Sequence, residues 1–235
     1  MANRVGEPMK PIVVWLCCLT LIAALLFGGA ASQGLAADGI AEFVGLILFA
    51  LAAPLAGPAL ARTPSAFALL VGLAILPCLQ LIPLPDWLWS ALPGRQPVMD
   101  IFAAAHVKPG WRPASLIPGA TLRTLLSLLP ATAIFLAALT LDAGDRMKLF
   151  WTVIAVGALS VPIAMLQVLG GDNGPYFYAI TNIGNGVGFF ANSNHFADLE
   201  YLLAPLCAVA VIAAPLSAGA ARNTIAAGLT AILLF

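Results

Sequence analysis

Charge is what this sequence has least of. Ten Lys and Arg and ten Asp and Glu make 9% of the 235 residues and cancel to a formal net charge of zero. A soluble domain carries about 25% charged residues, so this chain has too few to clothe itself in a water-compatible surface. The absence of excess positive charge also removes the electrostatic basis for nucleic-acid binding. Cysteine is sparse, and Cys17, Cys18, Cys78 and Cys207 all fall inside apolar runs. There a thiol behaves as a small hydrophobe, and no cluster of ligating residues accompanies them, which argues against a disulfide framework or a metal site. No internal repeat is visible, weighing against an inverted-repeat transporter, and no low-complexity linker divides the chain.

Long apolar runs are what is present. Hydrophobic residues make up 62% of the sequence and the mean hydropathy is +1.02. The expected fold is an all-α polytopic membrane protein forming a single transmembrane domain over 1–235. Spans sufficient for a bilayer read at 11–30, 40–61, 65–85, 124–141, 148–170 and 195–216, each near the roughly 20 residues that hydrocarbon thickness requires. A seventh run from Thr224 to Phe235 has only about 12 residues, and that shortfall predicts a truncated helix and the N-terminal part of a longer protein. The first run follows Arg4 and Lys10 as a signal peptide would, but it exceeds the length of a signal core and reads as an uncleaved helix. Kinks are expected at Pro54, Pro58 and Pro205.

Positive charge orients these spans. Arg4, Lys10, Arg62, Arg146, Lys148 and Arg222 fall at one set of ends, whereas loops 31–39 and 171–194 have no Lys or Arg. The positive-inside rule then predicts a cytoplasmic N-terminus, with loops 31–39, 86–123 and 171–194 outside. The long loop carries Arg95, Lys108, Arg112 and Arg123, and also Trp87, Trp89 and Trp111, which suit the outer interface. A short interfacial helix is predicted over 99–105. Polar side chains within the spans (Glu42, Gln80, Gln167, Asp198 and Glu200) gather toward the outer ends. That distribution predicts a polar cleft open to the outside, although helix ends also tolerate polar residues simply because they are wetter.

The densest polar cluster is Gly188-Phe189-Phe190-Ala191-Asn192-Ser193-Asn194-His195-Phe196-Ala197-Asp198-Leu199, where a loop enters the sixth span. Asn192, Ser193 and Asn194 suit helix capping, and an open helix N-terminus there would equally suit a phosphate. Asn194, His195 and Asp198 share one helical face. Asp198 could therefore hold the imidazole in one tautomer, as an oriented base requires, or His195 could serve only to hydrogen-bond the loop. Asp198 and Glu200 point apart on the helix, which disfavours a carboxylate pair. The Gly-rich stretch 171–190 permits close backbone approach but matches neither a P-loop nor a dinucleotide fingerprint. Arg112 and Arg123 could bind a diphosphate or snorkel to headgroups.

The run 188–199 resembles the Gly-x-Phe-x-Asn-x-Asn-His-x-Ala signature of the O-antigen ligase and polymerase superfamily. The stretch Gln80-Leu81-Ile82-Pro83-Leu84-Pro85 with Trp87 and Leu92-Pro93-Gly94-Arg95 is similar to its bacterial members, as is Pro118-Gly119-Ala120-Thr121-Leu122. The likeness covers about 76–212 and departs at Ser193, where bacterial relatives often carry Arg or Pro. It implies a GT-C-like glycosyltransferase of the bacterial inner membrane. Such an enzyme moves a glycan from an undecaprenyl-diphosphate carrier to a lipid A-core, polysaccharide or protein acceptor on the periplasmic side, with no metal or other cofactor. Asn192, Asn194, His195, Asp198 and Arg123 become the expected donor-binding residues, with His195 the catalytic candidate. The superfamily's main catalytic loop lies later in the chain, which implies that residues 1–235 alone are inactive. A lipid-linked glycan flippase and a non-catalytic membrane assembly protein are the competing expectations; a flippase calls for charge at mid-depth, which the six spans lack.

Overall fold

The computed structural model describes residues 9–29 and 35–213, together with Gly219, Ala220, Asn223 and Gly228. The predicted truncated seventh helix apart from Gly228, Arg4, Arg222 and residues 31–34 of loop 31–39 lie outside the described residues. Eight α-helices run in order: α1 Lys10–Phe27, α2 Leu35–Arg62, α3 Pro64–Leu81, α4 Asp86–Ser90, α5 Gln96–Ala104, α6 Pro118–Thr140, α7 Ala143–Gly170 and α8 Ser193–Ala213. Six of them, α1, α2, α3, α6, α7 and α8, are long and apolar enough to cross a membrane. Their outer faces carry large apolar side chains: Trp15 is 74% exposed and Ile212 83%. Such surface is stable only against lipid. The chain is an all-helical multi-pass membrane protein.

Span boundaries moved where local chemistry overrode apolar length. The third helix stops at Leu81 rather than 85 because Pro83 and Pro85 cannot continue it. Instead β1 (Pro83–Leu84) pairs antiparallel with β2 (Arg112–Pro113), setting Leu84 opposite Arg112. The fourth span starts at Pro118, so Arg123 lies inside α6 rather than before it. The fifth starts at Ala143, where Asp142 caps it by accepting from the Asp145 N–H at 2.9 Å. The short loop helix forms over Gln96–Ala104 and ends where His106 adopts a left-handed φ of 54°.

The chain divides into two compact units, one made of 1–57 with 130–235 and the other of 58–129. In the first unit α7 packs along both α1 and α8. Gly157 makes the α7–α8 contact close, since a Cβ there would sit 2.2 Å from Leu203 Cδ1; small residues are the usual means of bringing membrane helices together. Val161, Ala164, Phe190, Phe196, Leu199 and Leu203 form a core where α7, α8 and the intervening loop meet. At the start of α1, Lys10 bonds Asp142 and lies 3.4 Å from Asp145. At its far end, the Leu26 carbonyl accepts from the Tyr178 hydroxyl at 3.2 Å and the Gly29 carbonyl from the Ala191 N–H at 3.0 Å. Helices α1 and α7 therefore run parallel, and the 171–192 loop shares a side with the end of α1.

Candidate functional site: a polar loop seated at the head of α8

The loop between α7 and α8 contains no regular structure beyond the single 3₁₀ turn Gly171–Asn173, so its backbone groups must find partners elsewhere. Gln167 supplies four of them. This residue is fully buried near the end of α7. Its Oε1 accepts from the N–H groups of Val187 and Gly188, both at 2.8 Å. Its Nε2 donates to the carbonyls of Pro175 at 3.1 Å and Gly188 at 3.0 Å. Both donors and both acceptor positions of the amide are thereby used. Counted from the first residue of α7, Gln167 lies about 36 Å along a straight helix, beyond the roughly 30 Å hydrocarbon core.

Ser160, also fully buried, accepts from the Phe189 N–H at 3.3 Å. Gly188 is pressed between these anchors with φ 56°, and a Cβ there would meet Ser160 Oγ at 2.0 Å and Phe196 at 2.9 Å. Only glycine fits. The close approach that glycine allows is to the protein's own α7 and α8. Tyr176 closes the loop's outer part: its hydroxyl accepts from the Gly184 N–H at 2.7 Å and lies 3.3 Å from the Gln167 and Asn185 carbonyls. Burial pushes the Tyr178 phenol above its ordinary pKa, and the negative charge of Asp38 adds to the shift.

The first turn of α8 is saturated from within. The Ser193 N–H donates to Asn182 Oδ1 at 3.0 Å and the Asn194 N–H to Asn192 Oδ1 at 2.9 Å. The N–H groups of His195 and Phe196 donate to the Asn192 carbonyl at 3.1 and 3.2 Å. The capping role expected of Asn192 is thus present, assisted by Asn182. The open, anion-ready helix end is not, because the N–H groups of residues 193 to 196 already have acceptors.

The other residues singled out from the sequence separate sharply. Asn194, His195 and Asp198 are exposed. The His195 ring stands edge-on to Phe190, centroids 6.4 Å apart. No hydrogen bond or ion pair joins His195 to Asp198, so the expected orienting role of Asp198 is not realised in this conformation: both side chains extend into open space from adjacent turns. Glu200 points elsewhere, half-buried, with its Oε1 lacking a partner. Arg123 is exposed and belongs to the 58–129 unit. Among the described residues no His, Cys, Asp and Glu group could hold a metal ion. Sequence reasoning missed Ser160 and Asn182, and took Gln167 only as one more polar residue at a helix end. The available signal was an uncharged hydrogen-bonding side chain on an apolar helix leading into a loop without secondary structure.

Comparison with family profiles, with curated proteins and with solved structures found no match.

Proposed function

We propose that this chain belongs to an O-antigen ligase-like membrane glycosyltransferase with a GT-C-like bundle. It would act on an undecaprenyl-diphosphate-linked glycan at the periplasmic face of a bacterial inner membrane and deliver it to a lipid A-core, polysaccharide or protein acceptor. The observation that carries this reading is the Gly188–Leu199 segment, whose Asn194 and His195 stand exposed at the head of α8 on a loop pinned by Gln167. A rigid support beneath free polar side chains is what positioning a reactive group requires.

In the proposed reaction an acceptor hydroxyl oxygen attacks the anomeric carbon as the bond from that carbon to the diphosphate oxygen breaks. The diphosphate leaves on the polyprenol, and the hydroxyl proton passes to a base. His195 is the candidate base, because its imidazole is exposed and unhindered by internal hydrogen bonds. Asn194 can donate to the sugar or diphosphate, as can the side-chain N–H₂ of Asn192, whose oxygen is committed to the cap. The parallel course of α1 and α7 supports a common side for their lysine-bearing starts, which the positive-inside rule makes cytoplasmic.

Glycan transfer in cells, with membrane levels matched, tests the reading on the full-length protein. H195A should lower transfer by about 10²-fold or more, the usual worth of a positioned base, and N194A should lower it less. Wild-type transfer by both variants removes the segment from the site. Labelling of His195→Cys by an impermeant maleimide should proceed from the periplasm; labelling only after inner-membrane permeabilisation overturns the orientation.

A further inference from the structure

The 58–129 unit holds a second polar construction that the transferase reading does not use. Trp89 is buried at the centre of the 82–117 segment, and its indole N–H donates to the Pro113 carbonyl at 2.8 Å. Two guanidinium groups lie against its ring, Arg95 at 4.7 Å and Arg112 at 4.8 Å from the centroid. Arg112 also covers Phe102 at 4.1 Å. The scaffold is set by short-range pairing: Leu84 opposite Arg112, Ala114 N–H to the Ile82 carbonyl at 3.2 Å, and Ser115 N–H to the Gln80 carbonyl at 2.7 Å.

The hydrogen-bond ledger of this stack does not close. Arg95 is only 9% exposed, and one terminal nitrogen donates to the Ala114 carbonyl, but Nε and the other terminal nitrogen are buried without a partner. Arg112 spends its Nε on the Gly110 carbonyl at 3.3 Å, and neither of its terminal nitrogens has a partner among the described residues. No carboxylate forms an ion pair with either arginine among the described residues. The acids of the segment are otherwise engaged, Asp86 with the Trp87 N–H and Asp100 with Gln96. Two like charges on one aromatic ring, with unused planar donors, repel each other and call for a shared anion. Guanidinium forks match the oxygens of a phosphoryl group. Trp87, Ile101, Trp111 and Ile117 are each at least 65% exposed around this stack. The segment also joins the ends of two spanning helices. An interfacial location follows, and with it a ligand that is itself part of the membrane.

We propose that the Arg95–Trp89–Arg112 stack binds a phosphoryl group carried on a lipid, either a bilayer phospholipid headgroup or the diphosphate of a polyprenyl carrier. The proposal stands whether or not the chain transfers glycan.

The test uses the full chain in phosphatidylcholine nanodiscs, titrated with dioctanoyl phosphatidylglycerol, farnesyl diphosphate or inorganic pyrophosphate. At least one lipid probe should bind wild type at least tenfold more tightly than R112Q, with R112K between them, because lysine keeps the charge but loses the fork. K108Q, a charge removal on the same segment, should stay within about twofold of wild type. Preference for farnesyl diphosphate identifies the carrier, and comparable binding of phosphatidylglycerol identifies the general headgroup. Equal binding by wild type and R112Q overturns the proposal, as does a K108Q loss as large as that of R112Q. Pyrophosphate binding as tight as either lipid overturns the assignment to a lipid. R95Q offers a second variant, accepted only if its thermal unfolding matches wild type.

Discussion

Gln167 and His195 flank the same loop and are both polar residues near the ends of apolar helices, yet they behave oppositely. Gln167 is sealed, with every hydrogen-bonding position of its amide committed to loop backbone. His195 is exposed, with its ring touched only at the edge by Phe190. One polar residue builds the loop and the other is presented by it. A polar side chain in a membrane helix is therefore not by itself a functional sign; what matters is whether its donors and acceptors are already spent.

Substitution should separate the two behaviours, beginning with the largest effect. Q167L strands two N–H groups and removes a donor from two carbonyls in a buried setting, and each orphaned group costs about 1–3 kcal/mol. A loss of about 3–5 kcal/mol is expected in thermal or denaturant unfolding of the purified protein; wild-type stability would refute the structural role of this amide. G188A should cost about 2–3 kcal/mol, combining a left-handed φ with a clash against Ser160. Adding S160A should recover the Ser160 part of the clash and leave the Phe196 and φ parts, so a double variant no better than G188A would relocate the strain.

Loss of a cap comes next. N182A frees the Ser193 N–H and should cost about 1 kcal/mol by the same measurement. D142N should cost least, because asparagine keeps the α7 cap and removes only the exposed ion pair with Lys10. Its effect should also depend on pH. The Lys10 ammonium holds the Asp142 carboxyl below its usual pKa, with the Asp145 N–H assisting. The stabilisation is therefore full above the ordinary carboxylate pKa and fades as pH falls through the lowered value. Unfolding curves of wild type and D142N should converge in acid. H195A closes the series: melting should stay within about 0.5 kcal/mol of wild type while transfer falls, and a large loss of stability would place His195 with Gln167.

The same contrast recurs among the aromatic and basic residues of the 58–129 unit. Trp87, Trp89 and Trp111 all lie in one long loop. Trp87 and Trp111 are 70% and 73% exposed, as interfacial anchors should be, but Trp89 is 3% exposed and carries two arginines on its ring. Nothing in the local sequence separates them. The difference arises because Pro83 and Pro85 end α3 early and let residues 83–84 pair with 112–113, which folds the segment around Trp89.

The sequence alone determined that this is a helical multi-pass membrane protein, because burying apolar runs in lipid depends on length and composition and hardly on which helix lies beside which. It also marked the segment before α8 as the polar focus and Asn192, Ser193 and Asn194 as capping candidates, since capping acts within a few residues. Tertiary structure decided which polar groups were spent and which left free. Gln167 reaches residues twenty and more positions away, Asn182 crosses to the start of α8, and Arg112 and Arg95 meet on one ring. Hydrogen bonds and stacking are short-ranged in space but not in sequence, so the partner of each side chain exists only once the chain has folded.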